Sequence, residues 1–268
     1  LTNDQRRLTI DWVETREIAI VAQFLLVTDL DNTLVGDEAA LVELNQRLTW
    51  HREQFGTKIV YSTGRSPTSY RQLCSEQTLL TPDALVTGVG TAIYYEDHST
   101  SDASWADRLA TQWDRDKVVA IAAHFADLVP QPDSEQGAFK VSFYLEEAIA
   151  ADVIPQLETS LKVQDLNIKL IYSGGQDLDI LPTQADKGLA MTFLREKWQL
   201  SPAQTVVCGD SGNDRALFSM GDERGIIVGN AMPELLQWHK SNPKPHHYLA
   251  NARCAGGILE GLHHFGWF

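Results

Sequence analysis

The sequence is short of cysteine, of positive charge and of long apolar runs. Its three cysteines, Cys74, Cys208 and Cys254, are odd in number and form no Cys-x-x-Cys pair. That argues against a disulfide framework and for a reducing, cytoplasmic compartment. Only 22 lysines and arginines face 36 aspartates and glutamates, a formal net charge of -14. So acidic a chain repels nucleic-acid phosphates and anionic lipid headgroups, which disfavours both as partners. No uninterrupted apolar run approaches the ~20 residues that cross a bilayer. Ile18 to Val27 is too short and contains Gln23. No signal-peptide pattern is recognisable, and there is neither an internal repeat nor a low-complexity tract.

What is present suffices for a packed core. The chain has 268 residues, 43% of them hydrophobic and 22% charged, which fits one large domain or a core with a smaller insert. A monomer is expected. Residues 24–29 (FLLVTD) read as a buried parallel strand ending in a carboxylate. Leu41, Leu44 and Leu48 recur at helical spacing within 37–50. A strand at 57–64, a helix from Ser66 to Gln77 and a strand at 84–90 follow. That alternation builds a parallel sheet covered on both faces.

The pattern then changes. Residues 102–128 read as one long helix with Trp105, Leu109 and Trp113 on one side, packing against a core. Residues 139–145 alternate like a half-exposed antiparallel strand, 151–163 read as a helix, and 167–174 and 177–182 as strands joined at Gly174-Gly175. The parallel pattern resumes with helix 187–198, strand 205–210, helix 213–220, strand 225–229, helix 233–240 and a last helix near 255–264. The stretch 241–247 (SNPKPHH) reads as a surface loop. The expected organisation is a Rossmann-like α/β core of 24–97 and 183–268 with an inserted α+β cap of 98–182. Residues 1–23 are left without a role.

Four signals carry chemistry. Asp29-Leu30-Asp31-Asn32-Thr33 closes the first strand, so both carboxylates can face the crevice beyond the sheet's carboxyl edge, where such sheets hold ligands. Ser62-Thr63-Gly64-Arg65 closes the second and can offer a hydroxyl and backbone N–H groups to a phosphate. Asp186-Lys187-Gly188 opens the helix after the insert with a cation. Gly209-Asp210-Ser211-Gly212-Asn213-Asp214 brings two further carboxylates to the same edge. Each has an ordinary structural explanation alone, as a helix cap, a turn or a solvated lysine. Their common placement does not. Oxygen-only ligation suits a hard cation such as Mg²⁺.

In this order the motifs resemble the haloacid dehalogenase superfamily of phosphohydrolases, and the insert resembles that superfamily's C2-type cap. LLVTDLDNTLVGD, YSTGRS, DLDILP, VVCGDSGND and the tail NAMPELLQWH and AGGILEGLHHF resemble its sucrose-6-phosphate phosphatase family across residues 24–268. The resemblance implies a phosphoric monoester hydrolase acting on a small sugar phosphate, with Asp29 as nucleophile and Asp31 as acid and base. It implies Thr63, Gly64, Lys187 and Asn213 at the phosphate. Mg²⁺ would be held by Asp29, the Asp31 carbonyl, Asp210 and Asp214. Lys140, Ser142, Gln176, Asp177 and Asp179 on the cap are the candidates for the sugar.

Alternatives stay open: a capped phosphatase for another sugar phosphate or a cofactor phosphate, or a phosphatase-like sugar-phosphate-binding domain associated or fused with a sucrose-phosphate synthase. A receiver domain phosphorylated on Asp29 is disfavoured, because it needs neither the insert nor Asp31. His246, His247, His263 and His264 lack ligand spacing and read as surface or packing residues, and Cys208 as a small buried hydrophobe.

Overall fold

A computed structural model describes residues 23–95 and 99–268. Of the N-terminal segment 1–23, all but Gln23 lies outside the described residues. The core comprises strands β1 (Leu25–Thr28), β2 (Lys58–Ser62), β3 (Ala84–Thr87), β4 (Ala92–Tyr95), β9 (Thr205–Gly209), β10 (Arg224–Ile227) and β11 (His247–Leu249). They run in the order β11-β10-β9-β1-β2-β3-β4, parallel except for β4. From β1 the chain winds outward to β2 and β3, and after the insert it returns on the other side through β9. The loops leaving β1 and β9 therefore diverge, and the crevice between them is where such a sheet binds ligands.

The strands are apolar throughout because both faces are covered. Leu26, Ile59 and Val206 point to one face, under α1 (Glu38–Phe55), α2 (Pro67–Glu76) and α8 (Cys254–His264). Leu25, Val27, Val60 and Val207 point to the other, under α3 (Ala103–Leu109), α6 (Lys187–Lys197) and α7 (Pro233–Ser241). Each such buried side chain contributes roughly 1.5–3 kcal/mol. Helix α1 buries Leu41, Leu44 and Leu48, starts where the Asp37 carboxylate accepts from the Ala40 N–H, and stops at Gly56 with φ +72°.

The cap is a four-stranded antiparallel sheet, β5 (Val129–Pro130), β6 (Val141–Tyr144), β8 (Asp177–Pro182) and β7 (Ile168–Ser173) in that order. Val141, Phe143, Leu178 and Ile180 pack with α4 (Arg115–Ala122) and α5 (Glu147–Lys162) in an apolar cluster of the cap's own. Side chains alternate along a strand, so Ser142, Asp177 and Asp179 fall on the opposite face. Ser142 and Asp179 are register partners. Gly174 and Gly175, at φ +61° and +69°, make the β7–β8 turn, a backbone other residues adopt with strain.

Several expectations need correction. Residues 102–128 are two short helices, because Gln112 turns left-handed at φ +59° and Asp114 caps a new helix by accepting from the Lys117 N–H. Trp105 and Leu109 of α3 pack in the same apolar cluster as Leu25, Val27 and Val60 of the core sheet. Residues 213–220 are not an α-helix; a single 3-10 turn over Gly212–Asp214 opens the stretch. They form successive i→i+3 turns, Leu217 N–H to Asp214 O at 2.8 Å among them, packed so close to α6 that a Cβ on Gly188 would lie 2.3 Å from the Ala216 oxygen. The third strand stops at Thr87, and Gly88–Gly90 form a tight turn with Val89 left-handed at φ +59°. β6 is buried except at Tyr144, because Val141 and Phe143 pack into the cap's apolar cluster and Ser142 is tied to the neighbouring Asp179. The loop expected at 241–247 ends by entering edge strand β11. Strands β4 and β5 were not anticipated.

Candidate active site

The site begins where β1 runs out. Asp29 donates its backbone N–H to Cys208 O at 3.1 Å, so it remains clamped to β9. The chain then turns sharply, with Asn32 left-handed at φ +57° and the Thr33, Leu34 and Val35 N–H groups all on Leu30 O. That turn aims the Thr33 hydroxyl at Asp210 Oδ1, 2.9 Å away. Asp29 is 5% exposed, Asp210 3%, and Asp214 and Lys187 not at all.

Lys187 ties the loops together. Its Nζ donates to Asp29 Oδ1 and to Asp214 Oδ1, each at 2.7 Å. As the first residue of α6 it is placed by its neighbour Asp186, whose carboxylate caps the helix at Leu189 N–H and holds Lys169 at 2.5 Å. The Gly88–Gly90 turn presses on the same point: a Cβ on Gly90 would sit 2.3 Å from the Asp186 carbonyl. Asp214 Oδ2 accepts the N–H groups of Asp210 and Ser211, both at 3.0 Å. Only glycine fits at 209, since a Cβ there would be 2.5 Å from that of Asp214.

The second motif lies alongside. The Thr63 hydroxyl accepts the Arg65 N–H at 3.0 Å, which leaves its own hydrogen to donate, and the Val89 N–H bonds Thr63 O at 3.0 Å. A β-branched residue in the left-handed region is strained, and the Val89 N–H bond to Thr63 O together with the Thr63 N–H bond to Val86 O holds the backbone in place. Asn213 turns its amide nitrogen toward Gly64, 3.7 Å from where a Cβ would be. Asp31 is gripped by Arg65, Nε to Oδ2 at 2.8 Å and Nη2 to Oδ1 at 2.7 Å.

Above these groups lies a cleft of about 520 Å³ between core and cap. Asp29, Asp31, Gly64, Asp210 and Asn213 line its floor; Lys140, Asp177 and Asp179 line its roof. Thr63 and Lys187 stand just behind the wall, fully buried. Lys140 is itself buried, 3.3 Å from Asp179 and donating to Glu135 O. Ser142 is not on the wall; it donates to Asp179 Oδ1 at 2.6 Å and so orients it. Gln176 is the expectation the geometry does not support. It is exposed at the hairpin turn and outside the cleft lining. Sequence reasoning overlooked Gln131, which holds Asp177 at 2.9 Å, and Glu135 and Arg65 on the walls. Arg65 stood in the quoted motif; Gln131 and Glu135 lie in a loop without a pattern. The histidines behave as packing groups: His247 lies edge-on to Phe218 and His264 stacks on Tyr248.

Charge decides what the site can hold. Among the described residues, the one group of three metal-ligating side chains whose ligand atoms lie within 4.8 Å of one another is Asp29, Asp210 and Asp214. Burial, and then Asp214, push Asp210 from 3.8 up to about 7. Burial pushes Asp29 well above the usual carboxylate range against the pull of Lys187. Burial opposes the Lys187 charge, but Asp214 and Asp29 outweigh it and hold its pKa up. One ammonium thus faces three carboxylates, all donors are oxygens, and the deficit suits a hard dication. Asp29 and Asp210 have oxygens turned to the cleft, whereas Asp214 spends both on Lys187 and backbone N–H groups.

This imbalance makes metal binding pH-dependent. Because the folded-state pKa of Asp210 is raised, the metal-free fold keeps a proton from about pH 4 to about pH 7 that the unfolded chain has lost. The metal-free protein therefore loses stability as pH rises through that window. Mg²⁺ must displace the same proton, so its benefit grows over the same range. Thermal unfolding with Mg²⁺ and with EDTA should show a Tm gap at about pH 8 roughly twice that at about pH 5.5. An equal gap would contradict the assignment.

The sheet order, the inserted cap and the four motif loops at one edge define a haloacid-dehalogenase-type α/β fold with an inserted cap. The chain belongs to the sucrose-6F-phosphate phosphohydrolase family, whose description matches residues 22–266. It is 43% identical over 253 residues to the probable sucrose-phosphatase 2 of Arabidopsis thaliana, covering 91% of this chain and 60% of that protein. It is 36% identical to the mannosylfructose-phosphate phosphatase of Agrobacterium fabrum, covering 90% of this chain and 96% of that protein. The crystal structure of the Synechocystis sucrose-phosphatase in complex with sucrose and phosphate superposes with a TM-score of 0.85 at 43% identity, covering 91% of this chain and 98% of that one. The chain thus spans about 60% of the length of the plant relative it matches. Among the described residues no helix is long and apolar enough to cross a membrane.

Proposed function

We propose that this protein is a Mg²⁺-dependent phosphatase that hydrolyses sucrose 6-phosphate to sucrose and phosphate through an aspartyl-phosphate on Asp29. The observation that carries this is the joining of Asp29, Lys187 and Asp214 by 2.7 Å bonds beneath a polar cleft roofed by the cap. An Asp29 oxygen attacks phosphorus and the P–O bond to the sugar breaks, while Asp31 gives a proton to the departing oxygen. Asp31 then takes a proton from the water that cleaves the acyl phosphate. Lys187, the Thr63 hydroxyl, the Gly64 N–H and the Asn213 amide stabilise the transferring group's charge. Asp29, Asp210 and the Asp31 carbonyl would hold Mg²⁺, with Asp214, whose oxygens are taken by Lys187 and backbone N–H groups, adding its negative charge beside the ion. When bound, the ion supplies the positive charge that lets an anionic carboxylate approach an anionic ester.

The cap selects the sugar through Lys140, Asp177 and Asp179, with Ser142 and Gln131 orienting the two carboxylates. Buried polar groups of this kind reject a ligand that leaves them unpaired. The similarity to the Synechocystis protein, whose structure holds sucrose and phosphate, favours sucrose 6-phosphate. The similarity to the Agrobacterium protein favours a related disaccharide phosphate as the second reading. Phosphate release from sucrose 6-phosphate, mannosylfructose phosphate, fructose 6-phosphate and glucose 6-phosphate separates them. Turnover should be fastest on sucrose 6-phosphate and stop with EDTA. Equal rates on all four would defeat the sugar assignment while leaving the phosphatase standing.

A cytoplasmic monomer completes the reading. Cys74, Cys208 and Cys254 are all free, which fits a reducing compartment. Association or fusion with a sucrose-phosphate synthase would show as co-purification of the two activities.

A further inference from the structure

The two catalytic carboxylates are held in opposite ways. Asp29 is buried, clamped to β9 and bonded by Lys187. Asp31 stands two residues further on, past the sheet, with its side chain 44% exposed to the cleft. A carboxylate this exposed has water as a competing partner, so its orientation depends on the side chain that bonds it.

Arg65 supplies that bond. Among the described residues it is the one side chain that bonds the Asp31 carboxylate, and it takes both oxygens, at 2.8 and 2.7 Å. The guanidinium is itself fixed from behind. Its Nη1 donates to Ser69 O at 3.1 Å and Ser69 Oγ at 2.9 Å, in the first turn of α2. Its backbone N–H donates to the Thr63 hydroxyl. A planar fork anchored at its third nitrogen leaves a carboxylate one orientation, which a lysine ammonium does not.

We propose that Arg65 is the positioning residue of Asp31, setting where the acid–base carboxylate meets the departing sugar oxygen. This rests on the reading of Asp31 as acid and base. A misplacement of about 1 Å in such a group costs roughly 100-fold in rate. Arg65, on the cleft wall, therefore contributes to turnover through the Asp31 carboxylate it holds.

A double-mutant cycle tests it, with kcat and KM measured on sucrose 6-phosphate for Arg65→Ala, Asp31→Asn and the pair. Arg65→Ala should lower kcat about 10- to 100-fold with KM within about threefold. In the Asp31→Asn background the same change should cost less than about twofold, because nothing is left to position. Arg65→Lys should recover only part of the loss. Losses that multiply, or a loss confined to KM, would overturn the proposal: the first means a separate structural effect, the second direct substrate binding. Full turnover by Asp31→Asn would also overturn it. Failure of the phosphatase reading itself shows elsewhere, as turnover that survives Asp29→Asn.

Discussion

Replacing Asp29 with asparagine should cut kcat by at least about 10⁴-fold and leave the fold intact. An amide oxygen can still accept the Lys187 hydrogen bond at the Oδ1 position, now 2.7 Å away, so packing is preserved. The amide cannot act as the anionic nucleophile. The substitution also removes one negative charge from a cluster that already holds more than Lys187 can offset. The metal-free Tm should therefore stay level or rise while Mg²⁺ binds more weakly. Activity assays and thermal unfolding on the same preparation read both effects. Near-normal turnover would refute the nucleophile, and a collapsed Tm would refute the electrostatic account.

Lys187→Met should have the opposite profile, losing activity and stability together. Methionine matches the length but leaves Asp29 and Asp214 buried without a counter-charge. Breaking a buried pair from one side costs about 3–5 kcal/mol. In a chain of this size that is a Tm drop of roughly 10 °C. The loss should shrink at acid pH, where burial already favours a proton on Asp29. Asp214→Asn added to Lys187→Met should restore part of the stability and none of the activity. A Lys187→Met protein as stable as the parent would show that the ammonium is not what neutralises the site.

The core was legible in the sequence because burial on both faces writes itself as short apolar runs, and catalysis places polar residues where those runs stop. Asp29, Thr63 and Asp210 each follow a strand of four or five buried residues, and Lys187 follows a capping aspartate. What was illegible depended on contact at a distance. The turns of 213–220 look helical in sequence, but Asp214 bonds back to 210 and 211, and α6 presses on Ala216. The break after α3 carried a signal, the capping Asp114, that the run of apolar residues outweighed. On the cap, Asp177 and Asp179 could be found from strand alternation. Gln176, next to them, turned out to belong to the hairpin, and Gln131 reached the site from an irregular segment. Arg65 lay inside a recognised motif, yet its bond to Asp31 spans 34 residues.

The central claim is that a phosphoryl group is carried on the carboxylate at the end of β1. Enzyme mixed with sucrose 6-phosphate and Mg²⁺, quenched in acid and reduced with borohydride, converts a phosphorylated aspartate to homoserine, which peptide mass spectrometry locates. The account predicts homoserine at position 29 and at no other acidic residue, and none when substrate is omitted. Homoserine elsewhere, or none while turnover proceeds, would contradict it.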